Sequence, residues 1–150
     1  MMKKIIILFI ITIITIKVMA QEVDSLYLES LKQHLAYLND VRKGEDLKIF
    51  FIEADYKIIS NLPQTINGVT VRYLGGKEIK CKAKQSPFHL ISVRQLDLKQ
   101  DKIEISIIDF MVDYKKRKLN YSNTGGSKFV FKYDCEKALY ILHEKKQGGI

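Results

Sequence analysis

An α+β fold, with an N-terminal helix packed on a mainly antiparallel curved sheet, follows from three features of the sequence. One stretch near the start repeats its leucines at helical spacing. The chain after it is rich in β-branched and aromatic runs separated by turn residues. No internal repeat or low-complexity linker divides it, so residues 21–150 read as a single domain. Length and composition agree: 150 residues with 47% hydrophobic and 10% aromatic content describe a globular chain, and exclude a disordered or collagen-like one. Two Cys and no Trp exclude a disulfide-dense scaffold or a cysteine-built zinc domain.

The first segment stands apart from the fold. Lys3-Lys4 opens an apolar run from Ile5 to Ile16, and Val18-Met19-Ala20 precedes the polar Gln21-Glu22. A positive start, a short apolar stretch and small residues before a polar one are the parts of a secretory signal peptide, here residues 1–20. Twelve residues at about 1.5 Å each reach about 18 Å, short of a hydrocarbon core of about 30 Å. The expected product is therefore periplasmic or secreted, with no permanent membrane anchor after cleavage. Removing Lys3, Lys4 and Lys17, with no acid among them, lowers the net charge from +8 to +5.

Leu28, Leu31, Leu35 and Leu38 then mark one apolar stripe of a helix over 25–43. Asp24 or Ser25 suits its start, Arg42-Lys43 its last turn, and Gly44 its stop. Strand runs follow at 49–52 and 56–59, and Asn67-Gly68 forms a turn before Val69–Tyr73, which Gly75-Gly76 closes. Residues 77–84 alternate in period two, yet Lys, Glu and Ala favour helix; a short helix and an edge strand both fit. Residues 88–98 and 103–114 read as strands joined by a hairpin at 99–102. The charged Lys115–Lys118 and then Ser122–Gly126 read as turns before a strand at 128–133, and 139–144 is the last strand.

Chemistry-bearing motifs are sparse. His34, His89 and His143 lie far apart without metal-ligand spacing, and Asp109 and Asp113 make no catalytic pair by position alone. No Gly-x-Ser-x-Gly occurs. Gly125-Gly126-Ser127-Lys128 lacks the helix that a phosphate loop needs and reads as a flexible turn. The expectation is no catalytic, cofactor or metal site. Lys128–Tyr133 interleaves basic and aromatic residues but lacks the glycines of an RNA-binding strand, so nucleic acid is not an expected partner. Lys115, Lys116, Arg117 and Lys118 form the strongest local cluster, a solvated turn or an anion-binding patch. Cys81 and Cys135 would meet an oxidising compartment, where a pair tends to bridge, and a loop of that length would contribute roughly 4 kcal/mol. Unpaired small cysteines are equally ordinary, and both readings stand.

Leu62-Pro63, Ile66-Asn67-Gly68, Ile107–Phe110, Phe131–Cys135 and the terminal Gly148-Gly149-Ile150, with the signal peptide, resemble small exported proteins of Bacteroidetes. That resemblance implies location and carries no catalytic residue. The helix-on-sheet layout is similar to cystatin-like and NTF2-like folds, an analogy of architecture alone. The expected function is a non-enzymatic exported binding protein, meeting a protein or glycan partner in the envelope through an apolar sheet face or an open sheet end. A small NTF2-like enzyme is the alternative, which a pocket holding His and Asp would favour; an immunity or inhibitor protein is the third.

Overall fold

The computed structural model describes residues 23–42, 49–54, 58 and 61–149; the expected signal peptide, Lys43-Gly44 and most of the 56–59 run lie outside these. Helix α1 spans 23–41. Strands β1 (Ile49–Ala54), β2 (Thr65–Ile66) and β3 (Val69–Tyr73) come next, then helix α2 (Gly76–Gln85). Strands β4 (Phe88–Val93), β5 (Asp97–Lys99), β6 (Lys102–Lys115), β7 (Lys118–Asp134) and β8 (Leu139–Gly149) complete the chain. All belong to one sheet in the order β2-β3-β1-β4-β6-β7-β8, with β5 beside the start of β6. No described helix is long and apolar enough to cross a membrane.

The α+β class and the N-terminal helix stand, but the sheet is mixed. Strand β1 runs parallel to both β3 and β4, whereas β4, β6, β7 and β8 form an antiparallel meander. Connecting parallel β3 and β4 requires a crossover, and α2 is that crossover. Parallel strands are stable when both faces are covered. Here α1 and α2 lie on opposite faces. In β1, Phe50 and Ile52 join the α1 core while Phe51 packs on the α2 side. In β4, Ile91 and Val93 face α1 whereas Phe88 and Leu90 face α2. The meander needs only one cover. Ile103, Ile105, Ile107, Phe129 and Phe131 pack beneath α1. Around β5–β8 the opposite face carries Lys and Glu: Lys99 and Lys128 each bond Glu104 at 2.9 Å, and Lys146 bonds Glu144 at 3.0 Å. Hydrogen bonds from Lys99, then Lys128, hold the Glu104 carboxyl below its usual range.

Helix α1 buries a wider stripe than the leucine spacing suggests. Leu26, Tyr27, Ser30, Leu31, His34, Leu35 and Leu38 are buried, and Leu28 sits half-buried at the margin. The stripe is therefore turned toward Leu26, and it carries two polar residues. Ser30 satisfies its hydroxyl by donating to the Leu26 carbonyl at 2.8 Å.

The ambiguous 77–84 segment is helical. Ile79 and Ala83, four apart, are its buried face, and the Glu78 carboxylate accepts the Gly75 N–H at 3.0 Å. Residues 88–98 are two strands rather than one, interrupted at 94–96. Asn67-Gly68 and Lys116-Arg117 both occupy left-handed positions of two-residue hairpin turns. Ser122–Gly126 is no loop: it lies inside β7, where the register with β6 shifts past Thr124 and Gly125 adopts φ 135°. At Gly126 a Cβ would stand 2.4 Å from the Ile107 carbonyl oxygen, so only glycine lets the two backbones pair there.

Two substitutions test this packing. Leu31→Ala or Leu35→Ala should each lower unfolding free energy by about 2–5 kcal/mol in chemical denaturation. Gly126→Ala should destabilise clearly, while Gly148→Ala, with open space around it, should change little. Equal effects at the two glycines would contradict the β6–β7 register.

Candidate functional site

The polar residues of interest converge although the sequence scatters them. His34, fully buried on α1, bonds Asp109 of β6 through Nε2 at 2.9 Å and Ser127 of β7 through Nδ1 at 2.7 Å. Asp109 and Ser127 are 5% and 6% exposed. With the ring proton on Nε2 donated to the carboxylate, Nδ1 accepts the Ser127 hydroxyl, and every group in the chain is satisfied. The bulge explains the meeting. Asp109 pairs with Gly125, just before the shift, so the strand of Ser127 is bent at the point where α1 crosses.

Ser, His and Asp in contact invite comparison with a hydrolase triad, but the geometry differs. In a triad the imidazole bonds the carboxylate through Nδ1 and the serine through Nε2. Here the nitrogens are exchanged, and Ser127 is 6% exposed and does not line the cavity that Asp109 borders. The arrangement holds helix to sheet rather than presenting a nucleophile.

Asp109, however, does border a cavity. Strands β1 and β4 pair only over Ile52–Ala54 and Ile91–Val93, and they separate on the side of Ile49 and His89. A cavity of about 150 Å³ occupies the gap. Leu38, Ile49, Phe50, Leu90 and Ile91 supply apolar walls, and Arg42, His89 and Asp109 supply polar ones. The Arg42 guanidinium donates to His89 Nδ1 at 2.9 Å. His89 and Asp109 share the α1 face of the sheet, His89 opposite Met111 and Asp109 opposite Ile91. Such diagonal neighbours lie about 7–8 Å apart. A cation bonded to an imidazole, and a carboxylate bonded to His34, thus line the same small cavity.

The remaining expected residues fall elsewhere. Among the described residues no group of three or more His, Cys, Asp or Glu could hold a metal ion. Cys81 on α2 and Cys135 in the β7–β8 turn are both free and exposed, so of the two readings left open the structure shows the unpaired one. Cys81 lies on the flank of α2 that borders Phe51 of β1 and Arg72 of β3, and Cys135 follows β7 at the end where Lys132 pairs with Lys102. The Lys115–Lys118 cluster is divided by the hairpin. Lys115 bonds Asp113 at 2.7 Å, Lys118 pairs across from it, and Lys116 and Arg117 project at the turn. His143 is exposed on β8.

His34, Arg42, His89 and Ser127 were invisible as a site because their neighbours in sequence are not their neighbours in space. The only available signal was a polar His34 within an apolar helical face. No protein family, curated protein or solved structure matches the chain.

The buried network makes a measurable demand. His34→Leu leaves the Asp109 carboxylate buried without its partner, which should cost about 3–5 kcal/mol. Combining it with Asp109→Leu should cost less than the sum of the single changes, by about 0.5–3 kcal/mol in a double-mutant cycle. Additive losses would mean that the two side chains do not act together.

Proposed function

We propose that this chain is an exported, non-enzymatic binding protein whose ligand is a small molecule bearing an acidic group and a hydrogen-bond donor. The cavity between β1 and β4 carries this reading. Arg42 and His89 suit a carboxylate or similar anion, Asp109 suits an ammonium or hydroxyl group, and the apolar walls disfavour a strongly hydrated ligand. At about 150 Å³ it is smaller than the pockets of about 300–1,000 Å³ that take drug-sized molecules, so the ligand has the size of an amino or hydroxy acid. Export rests on the signal-like residues 1–20.

Binding is preferred over catalysis because the candidate acid–base groups are already bonded within the protein, Asp109 to His34 and His89 to Arg42. General acid–base chemistry needs them within hydrogen-bond reach of one reacting atom. The presence of both His89 and Asp109 in the lining nevertheless favours a second reading, a small enzyme in which Asp109 takes a proton and His34 holds it in place.

A panel of amino and hydroxy acids, titrated into ¹⁵N-labelled protein, tests both. Binding should shift amides of Phe50, Phe51, His89 and Leu90, and Arg42→Gln should weaken it at least tenfold. Recovery of the compound unchanged supports binding, and its conversion supports the enzyme. Shifts that persist in Arg42→Gln would remove the cavity from either account.

A further inference from the structure

We infer that α2 and the tip of the β6–β7 hairpin together form a docking surface for a linear acidic polysaccharide. The cavity does not enter this inference. On α2, Lys77, Lys80 and Lys84 are exposed at spacings of three and four and so form one stripe, while Glu78 falls on the other flank beside Cys81 and Gln85. The stripe is about 10 Å long at a helical rise of about 1.5 Å per residue. It lies against β6. The ammonium groups of Lys80 and Lys84 stand 6.0 Å and 5.4 Å from the centre of the Tyr114 ring. Two residues beyond Tyr114 the turn adds Lys116 and Arg117, both exposed. Among the described residues none of these five cations forms an ion pair with a carboxylate; the nearby Asp113 is engaged by Lys115 and Asn120. Five cations that form no ion pair among the described residues therefore run from the start of α2 to the hairpin tip.

Charge complementarity requires an anion, and the local structure selects its kind. A bilayer would be entered by an apolar helix face, but Ile79 and Ala83 of α2 are already packed against the sheet. Single-stranded nucleic acid stacks its bases on open aromatic rings, and the Tyr114 ring is already engaged by two lysines. A polysaccharide bearing one acidic group per sugar or disaccharide needs neither insertion nor stacking, only cations in a line. Fixing that line on a helix lowers the ordering cost of binding. The apolar sheet face favoured by the sequence is covered by α1.

The test uses the chain without residues 1–20 and immobilised polygalacturonate, with phosphatidylglycerol vesicles and a DNA duplex as comparison ligands. Polygalacturonate should bind, and the affinity should fall as salt rises. Lys77→Gln/Lys80→Gln/Lys84→Gln, and separately Lys116→Gln/Arg117→Gln, should each weaken it at least tenfold, with thermal unfolding unchanged. Lys80→Arg/Lys84→Arg should retain it. Lys145→Gln/Lys146→Gln, on β8, removes two cations elsewhere and should change binding less than twofold. An equal loss in that control would show attraction by net charge and overturn the proposal. So would equal or tighter binding to vesicles or DNA, or no binding to polygalacturonate.

Discussion

The imidazole of His34 ties the two ends of the chain together. Its ring bonds α1 to both β6 and β7, and it does so with no access to water. A buried ring with either nitrogen unmet would carry the desolvation cost of that group, so its position fixes the partners as firmly as they fix it. The apolar stripe of α1 determines which face of the helix is down. Leucines alone would tolerate small rotations and slides, whereas two hydrogen bonds from one ring admit only one placement. The bend at Thr124–Gly125 and the bare Cα of Gly126 follow from the same requirement, because they bring Ser127 and Asp109 under the ring while β6 and β7 stay paired.

Legibility in the sequence followed the range of the interactions. The α1 leucines and the alternation of β6 report on their own neighbours, and both elements form where periodicity puts them. Asn67-Gly68 names its turn by the conformations those residues tolerate. The parallel pairing of β1 with β3 and β4 has no such local mark, since parallel and antiparallel strands share the same composition. Helix α2 was ambiguous because ten residues rich in Lys carry only two apolar anchors, Ile79 and Ala83, and these are meaningful only against a sheet already in place. Gly125-Gly126 misled for the opposite reason. Adjacent glycines suggest a loop, but here they serve a bulge and a close backbone approach inside a strand.

The same logic explains why the candidate site was hidden. Asp109 and Ser127 lie 75 and 93 residues from His34, and no spacing rule spans such separations. The cavity arises from an absence of pairing, the separation of β1 from β4 below Ile52, which depends on where each ladder stops. Cys81 and Cys135 could be judged by compartment only, and their places in the fold, on α2 beside β1 and β3 and in the β7–β8 turn, decided the matter.

The long reach of His34 also orders events in time. Helix α1 is made first, but the residue that completes its buried ring is among the last quarter of the chain to be synthesised. Until Ser127 arrives, α1 is an amphipathic segment with a polar group at its centre and no surface to close over. The β6–β7–β8 meander can assemble from contacts short in sequence, whereas docking of α1 closes a loop of nearly the whole domain. Native structure is therefore withheld until the C-terminal strands are available.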